Sequence, residues 1–341
     1  MDLKNFELLF TRPAQVQIDL TNKCNLDCIY CYNKHNSLGR EELNDEDLKN
    51  IITKIINQLG PLFVSFSGGE PLVKKDLFFF LAKQLKDNKI EVYLNTNGLL
   101  IDEEVAKKLN ELKIDKINLN IDSLKIQDKI RGKKNLLSQT LNSLKILKKY
   151  YPKEKISIAC VINKLNYKEI LNLAKFVKEE GYMELHILDM VPSNDNEKKL
   201  ILSKEEWLEF FEEYKKIKKL GILVRPNHAL LFLSEFEKEV KIPFCMAGRV
   251  KMIITADGSV IPCNYFRKKE FICGDAVKEN LLEIWQNSPL LKKFRYFMPK
   301  EEKCQKCNFL GLCTGGCRAF SYYLKGDLNL ADPYCIDFCL K

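Results

Sequence analysis

The sequence predicts an α/β fold: a partial, TIM-like (β/α)6 barrel followed by a small, loop-rich, cysteine-dense domain with a β-hairpin. Between residues 15 and 192, short β-branched runs alternate with longer helical patterns. This alternation indicates a parallel sheet, because neighbouring parallel strands need a helical crossover. Six βα units are fewer than the eight of a closed barrel. We therefore expect an open barrel with its chemistry at the carboxyl ends of the strands.

Each predicted strand is a short run rich in β-branched and aromatic residues. The six runs cover residues 15–20, 62–68, 90–98, 116–122, 155–163 and 183–191. Between them, apolar residues recur at i, i+3 and i+4, which is typical of amphipathic helices. These predicted helices lie near residues 43–59, 74–87, 102–112, 135–149 and 167–180.

The chain changes character after the sixth strand. A capping box from Ser203 to Glu206 predicts a helix that ends near Leu220. The segment VKMIITADGSVIPC is then predicted to form a hairpin that turns at Asp257 and Gly258. The segment LLEIWQN is predicted to form a short helix. We predict a barrel core at 12–195, a helical bridge at 196–244 and a cysteine-rich domain at 245–341. A loop-rich tail that buries little apolar surface needs another source of stability, which bound metal can supply.

Composition limits the class of protein. Thirteen cysteines in a chain of 341 residues without a signal-peptide pattern indicate metal sites rather than a disulfide framework. No stretch reaches the roughly 18 apolar residues of a membrane span, so we expect a cytoplasmic protein with no membrane partner. The net charge of +9 counts every thiol as neutral. Bound clusters would offset roughly half of it, and lysine and glutamate mix along the helices, so no nucleic-acid partner is expected.

The segment TNKCNLDCIYCY places Cys24, Cys28 and Cys31 directly after the first strand. Three thiolates can hold three irons of a four-iron cluster and leave the fourth iron open to the amino and carboxylate groups of a ligand. Two alternatives stay open on spacing alone. One is a zinc site that borrows a fourth ligand such as His35; the other is a structural cluster whose fourth ligand the spacing does not reveal.

The C-x3-C-x2-C pattern with Tyr30 resembles the signature of the radical S-adenosylmethionine superfamily. Further matches follow in the order of that family: SGGEP at 67–71, NTNG at 95–98, LNIDS at 119–123 and KIRG at 129–132. Asn120 replaces the serine that many members carry. The resemblance implies that S-adenosyl-L-methionine is bound by the residues Tyr30, Gly68, Gly69, Glu70, Asn97, Asn120 and Arg131. It further implies that Glu70 accepts from the methionine ammonium group and that the Arg131 guanidinium pairs with the carboxylate.

The tail carries seven cysteines in the order C-x12-G-x4-C, C-x2-C-x5-C-x3-C and C, which resembles the SPASM domain. That resemblance implies two auxiliary 4Fe-4S clusters, hence three clusters in all. Auxiliary cluster 1 would be held by Cys245, Cys263 and Cys317, and auxiliary cluster 2 by Cys304, Cys307, Cys313 and Cys335. A pair of zinc sites of ribbon type is the competing interpretation.

Three other cysteines are outside these sets. Cys273 and Cys339 are each candidates for the fourth ligand of auxiliary cluster 1, which otherwise stays open to substrate. The segment around Cys273 favours a small buried apolar side chain. Cys160 alternates inward on a predicted strand and is interpreted as packing.

The resemblance implies a radical SAM/SPASM enzyme, an oxidoreductase or peptide maturase. It would cleave S-adenosylmethionine reductively to a 5′-deoxyadenosyl radical and oxidise, crosslink or cyclise a peptide or protein. The alternative is oxidation or decarboxylation of a small molecule such as a porphyrin or haem precursor; a non-catalytic iron-sulfur or zinc module is more remote. Asn264 stands where sulfatase-maturing members have an aspartate base, which weakens that activity. A flavodoxin- or ferredoxin-type protein would donate electrons, and the sequence assigns no catalytic proton acceptor.

Overall fold

One continuous sheet organises the fold of this protein. The structure is a computed structural model that describes residues 11–35, 38–182, 184–225, 245–307 and 310–335. Ten strands of this described part form the sheet in the order β10-β9-β8-β1-β2-β3-β4-β5-β6-β7. The first six are β1 (Gln15–Asp19), β2 (Phe63–Ser67), β3 (Glu91–Thr96), β4 (Lys116–Asn120), β5 (Ile156–Ile162) and β6 (Glu184–Asp189). The predicted α/β fold with a parallel sheet is confirmed.

Strands β1 to β6 run parallel, with β1 paired to β2 in the register Asp19↔Ser67 and β5 paired to β6 in the register Ile162↔Asp189. A seventh strand, β7 (Leu223–Arg225), extends the parallel set beyond the predicted six. Three residues are too few to show an alternating pattern, so this strand could not be predicted from local periodicity. The parallel directions bring the carboxyl ends of all seven strands to one edge of the sheet.

Helices cover the outer face of the sheet. The first six are α1 (Asp45–Lys54), α2 (Lys75–Asp87), α3 (Glu103–Glu111), α4 (Gln127–Arg131), α5 (Leu136–Tyr150) and α6 (Ile170–Glu179). They bury their apolar stripes against strand residues such as Val16, Phe66 and Ile158, which have no exposed surface. The predicted capping box is present: the Ser203 hydroxyl accepts from the backbone N–H of Glu206, and the Glu206 carboxylate accepts from that of Ser203.

The remaining helices, apart from the capped one, have at most eight residues. They are α7 (Asp195–Lys198), α8 (Lys204–Lys218), α9 (Leu281–Asn287), α10 (Pro289–Arg295), α11 (Glu302–Gln305), α12 (Leu310–Cys313) and α13 (Arg318–Lys325). No helix among the described residues combines the length and apolar character that crossing a membrane requires. Residues 226–244 of the predicted bridge, Cys339 and the side chain of His35 lie outside the described residues.

The predicted hairpin is part of the barrel sheet. It consists of β8 (Lys251–Ile254) and β9 (Ser259–Ile261), followed by the two-residue β10 (Gly274–Asp275). Strand β8 pairs in parallel with β1 through the register Gln15↔Lys251. Just beyond β9, the amide of Asn264 exchanges hydrogen bonds with that of Gln17, at 2.8 and 3.1 Å. These contacts hold the cysteine-rich segment against the first strand of the barrel.

Candidate active site

The loop after β1 brings the first three cysteines together. Cys24 is exposed, whereas Cys28 and Cys31 are half-buried. Burial raises the pKa of the Cys28 thiol to about 12, and the charges of Cys31 and Cys24 act in the same direction, while Arg131 opposes them. Cys24 and Cys31 are therefore near enough to act on the charge of Cys28, and all three lie in the loop that follows β1.

Helix α4 is joined to this loop by backbone hydrogen bonds. The backbone N–H groups of Asp27 and Ile29 donate to the carbonyls of Arg131 and Ile130, at 3.3 and 2.9 Å. Gly132 follows with a φ of +71°, and a Cβ there would come within 2.6 Å of the Asp27 carbonyl oxygen. Only glycine permits this approach at this backbone angle. The thiol loop is therefore joined to the segment that follows β4.

Asp122 is the buried centre of the contact between the loop and β4. Its carboxylate accepts from Arg131 Nε at 2.7 Å, from the Tyr30 hydroxyl at 2.5 Å and from the backbone N–H of Val161 at 2.8 Å. Burial acts to lower the pKa of Arg131, but Asp122, Tyr30 and Cys28 together outweigh it and raise that pKa, so the guanidinium stays charged. Arg131 Nη1 also donates toward Cys28 Sγ at 4.0 Å. The pairing of Arg131 with the methionine carboxylate stays a prediction. One N–H donor of Arg131, at Nε, already binds Asp122.

Glu70 connects the ends of β2 and β3 below the thiol loop. Its carboxylate, 1% exposed, accepts from the Thr96 hydroxyl at 2.8 Å, the backbone N–H of Asn97 at 2.9 Å and that of Leu72 at 3.2 Å. Burial raises its pKa from the usual range. Glu70 thus positions the NTNG segment, and its contact with the methionine ammonium group stays a prediction.

Asn97 and Asn120 occupy the strand ends that the sequence predicts for the cofactor. Asn97 Nδ2 donates to Asn25 Oδ1 at 2.7 Å and lies 3.9 Å from Cys24 Sγ. Asn120 is half-buried at the end of β4, and its carbonyl accepts from Gln127 Nε2 at 3.3 Å. Asn97 therefore lies next to the thiol loop, and the contacts of both residues with a nucleotide stay predictions.

The glycines of SGGEP allow the backbone of this segment to approach the thiol loop. Gly69 N donates to the Thr21 carbonyl at 2.7 Å, and Glu70 N donates to that of Lys23 at 2.9 Å. A Cβ on Gly69 would lie 2.0 Å from the Lys23 carbonyl oxygen, and one on Gly68 would lie 2.4 Å from that of Thr21. Neither backbone can shift without moving the loop that carries Cys24.

We expect Gly69→Ala to displace the thiol loop, because the added methyl group meets backbone atoms rather than a flexible side chain. Binding of S-adenosylmethionine, measured by equilibrium dialysis on anaerobic protein, should weaken at least about tenfold, the equivalent of roughly 1.4 kcal/mol. Gly221→Ala is the control, since a Cβ there meets nothing within 4 Å and costs only the strain of its left-handed backbone. Unchanged binding in Gly69→Ala would contradict the packing described above.

The cysteines of the tail form two further groups. Cys245 and Cys263 act electrostatically on Cys317, and Cys245 acts on Cys263. In the other group, Cys307 and Cys313 act on Cys304, and Cys335 acts on Cys313. Burial raises the pKa values of Cys263 and Cys304 to about 11 each. Cys317 belongs with Cys245 although it follows Cys313 by only four residues. The grouping is the one that the spacing resemblance implies, while the ligand roles of these cysteines stay predictions.

Two further cysteines of the described residues, Cys273 and Cys160, have surroundings of their own. The Sγ of Cys273 donates toward the Phe271 carbonyl at 3.6 Å, and burial raises its pKa to about 12, so its surroundings are those of a packed side chain. Cys160 has no exposed surface and belongs to the apolar core. Among the described residues, no His, Cys, Asp and Glu side chains converge as they would around a single metal ion.

A cavity of about 40 Å³ is bordered by Tyr32, the residue after Cys31, and by Tyr265, two residues after Cys263. Its walls are formed by Tyr32, Val191, Ser193, Tyr265, Arg267, Lys268 and Tyr323. Arg267 is 2% exposed, pairs with the buried Asp19 at 2.5 Å and stacks 4.7 Å from the centre of the Tyr32 ring. This site could not be predicted from sequence patterns, because Asp19 and Arg267 are 248 residues apart and neither belongs to a motif.

The fold and the site define an enzyme with an open parallel barrel, a three-thiol loop at its carboxyl edge and a second cysteine-rich domain. The family model of the Radical SAM superfamily matches residues 18–177, and that of an iron-sulfur cluster-binding domain, SPASM, matches residues 245–308. The chain belongs to the radical S-adenosylmethionine superfamily and carries a C-terminal SPASM domain.

Relatives match along nearly the whole chain. An AdoMet-dependent heme synthase of Methanosarcina barkeri (strain Fusaro / DSM 804) is 27% identical over 95% of this chain and 96% of its own. A PqqA peptide cyclase of Granulibacter bethesdensis (strain ATCC BAA-1260 / CGDNIH1) is also 27% identical, over 95% of this chain and 87% of its own. SuiB of Streptococcus suis bound to precursor peptide SuiA has a TM-score of 0.76 at 22% identity, covering 98% of this chain and 78% of that one. This last likeness supports the fold.

Proposed function

We propose that this enzyme cleaves S-adenosylmethionine reductively and uses the resulting 5′-deoxyadenosyl radical to oxidise, crosslink or cyclise a peptide or protein. Cys24, Cys28 and Cys31 would hold the cluster that supplies the cleaving electron. Two auxiliary clusters would be held by Cys245, Cys263 and Cys317 and by Cys304, Cys307, Cys313 and Cys335. A flavodoxin- or ferredoxin-type protein would deliver the electron. The gathering of the cysteines into these three groups is the observation that supports the cluster sites.

The described residues around the first thiol group organise the cofactor cleft. The brace of Asp122, Arg131 and Tyr30 fixes the Cys28 segment from one side, and Glu70 fixes Asn97 beside Cys24 from another. The close approach of Gly68 and Gly69 to the loop leaves backbone carbonyls available to an ammonium group. The half-buried side chains of Tyr32 and Tyr265 line the cavity and would restrict the access of water and oxygen to it.

The inner face of the barrel supports a peptide as the substrate. Asn118 Nδ2 donates to Asn95 Oδ1 at 2.8 Å, and the Ser157 hydroxyl donates to Asn118 Oδ1 at 2.5 Å. Gln17 and Asn264 form a further amide pair near the cavity. Side-chain amides and hydroxyls offer paired donors and acceptors, which match those of a peptide backbone. This amide-lined face is the single observation that carries the choice of a peptide.

A porphyrin or haem precursor is the second candidate, favoured by Lys268. Its ammonium group lines the cavity and lies 5.2 and 5.5 Å from the ring centres of Tyr322 and Tyr323. A cation beside aromatic walls suits a planar apolar ligand with carboxylate groups. The heme synthase named among the relatives agrees with this alternative.

The experiment is a product assay on anaerobically reconstituted protein with strong reductant and S-adenosylmethionine. Candidate peptides from neighbouring reading frames and iron-coproporphyrin are supplied in parallel, and mass spectrometry follows 5′-deoxyadenosine and modified product. We expect substrate-coupled loss of hydrogen from a peptide. Turnover of the porphyrin alone would overturn the peptide proposal, and absence of 5′-deoxyadenosine with either would overturn the reaction itself.

A further inference from the structure

Two buried arginines lie between the two cysteine groups of the tail. Arg249 is 7% exposed and Arg318 is 2% exposed. Arg249 follows Cys245 by four residues and donates to the hydroxyl of Thr314, the residue after Cys313. Arg318 directly follows Cys317 and donates to the carbonyls of Gly315 and Gly316, which lie between Cys313 and Cys317. Each guanidinium is therefore held against segments that carry cysteines of both groups, and the charges of Cys245 and Cys313 act on both.

Both guanidinium groups are hydrogen-bonded almost entirely to backbone carbonyls. Arg249 Nε and Nη2 donate to the Arg295 carbonyl at 2.9 and 2.8 Å, and Nη1 donates to the Thr314 hydroxyl. Arg318 donates to the carbonyls of Gly315, Gly316, Leu328 and Leu330 and stacks 3.7 Å from the centre of the Phe297 ring. These bonds fix the position of both charges but do not neutralise them.

No carboxylate of the described residues forms an ion pair with Arg249 or Arg318. Asp332 acts on Arg318 electrostatically, but its Oδ2 and Oδ1 accept from the backbone N–H groups of Cys317 and Tyr334, both at 2.9 Å. Burial lowers the pKa of both arginines from the usual range, as expected for cations that lack a paired anion. Buried charges are normally paired, because leaving water without compensation is costly.

A four-iron cluster supplies the missing negative charge. With a core of about 2+ and three or four thiolates, it carries a net charge of about 1− or 2−, and one unit more when reduced. A fixed cation therefore stabilises the reduced form more than the oxidised form, and the effect is strong in a dry, low-dielectric interior.

We propose that Arg249 and Arg318 are shared positioning cations of the two auxiliary clusters, raising the reduction potentials of both. This inference rests on the ligand sets proposed above. It assigns the pair a role distinct from that of Arg131, which has its own carboxylate in Asp122. Because each guanidinium is held against segments that carry cysteines of both groups, removal of one charge should affect both clusters.

The test is a redox titration of the reconstituted full chain, followed by electron paramagnetic resonance. Arg249→Met and Arg318→Met should shift both auxiliary potentials to more negative values. At a fixed potential, the ratio of oxidised to reduced cluster should rise at least tenfold, equivalent to about 59 mV for one electron. The potential of the cluster at Cys24, Cys28 and Cys31 should stay unchanged. Arg249→Lys retains the positive charge, so both auxiliary potentials should stay close to those of the parent chain.

Arg295→Met is the matched control. Arg295 is likewise buried and donates to the carbonyls of Gly248 and Trp285, but the charges that act on it do not include a cysteine. Arg249→Gln tests the same charge loss if the methionine variants fold poorly. Potentials equal to those of Arg295→Met, or a shift in one auxiliary cluster alone, would overturn the shared role while leaving the proposed function intact. Iron analysis that finds fewer than three clusters in the parent chain would overturn the ligand sets, and this inference with them.

Discussion

Alanine in place of Cys28 is expected to abolish the formation of 5′-deoxyadenosine, by more than about 10³-fold. Cys28 lies in the middle of the three-thiol loop, next to Cys24, Cys31 and the Arg131 guanidinium. A four-iron cluster held by only three protein ligands does not survive the loss of one of them. Liquid chromatography of the anaerobic reaction measures the nucleoside, and iron analysis should fall from about 12 to about 8 atoms per chain.

Cys160→Ala is the control for this substitution. Cys160 lies on β5 with no exposed surface and belongs to the apolar core. Its replacement removes a small apolar group, so we expect a stability loss of about 1 kcal/mol, full iron content and unchanged nucleoside formation. Wild-type nucleoside formation in Cys28→Ala would refute the assignment of the thiol loop.

Asp122→Asn is expected to produce the largest loss of stability. The substitution leaves the buried Arg131 guanidinium without its anion and turns an acceptor of three hydrogen bonds into a neutral amide. Breaking a buried ion pair from one side costs about 3–5 kcal/mol. Urea unfolding followed by circular dichroism measures the loss. Because Tyr30 and Arg131 both hold the thiol loop, the variant should also retain less iron after reconstitution.

Asp87→Asn is the control, because it makes the same substitution in an ion pair that is exposed to solvent. Asp87 pairs with Lys83 at 2.6 Å on the surface of α2, with 60% of its side chain exposed. Exposed pairs of this kind contribute little, so the variant should unfold within about 0.5 kcal/mol of the parent. Asp122→Asn and Asp87→Asn with the same unfolding midpoint would show that the brace does not hold the loop.

Local sequence signals were sufficient for much of the fold. Period-2 and period-3.6 patterns located the six strands and the main helices, and the capping box at Ser203 set the start of α8. Motif order also located the thiol loop, SGGEP and NTNG at the strand ends. Each of these features depends on residues close together in the chain, whose spacing carries the information.

Features that join distant segments could not be read in the same way. The pairing of Asp19 with Arg267, the role of Asp122 as acceptor for Tyr30 and Arg131, and the placement of Arg249 and Arg318 depend on tertiary packing. The sequence indicated Asp122 only as part of LNIDS. Strand β7 and the parallel addition of β8 to β1 were missed because strand pairing leaves little trace in so few residues.

The most direct measurement compares the electron paramagnetic resonance spectrum of the reduced enzyme before and after addition of S-adenosylmethionine. The chain with Cys28→Ala, which should retain only the auxiliary clusters, supplies the spectrum to subtract. We expect the remaining signal to change on addition of the nucleotide, because a cluster held by these three thiolates would leave one iron free to bind its amino and carboxylate groups. A signal unchanged at saturating nucleotide would contradict an open coordination site at Cys24, Cys28 and Cys31.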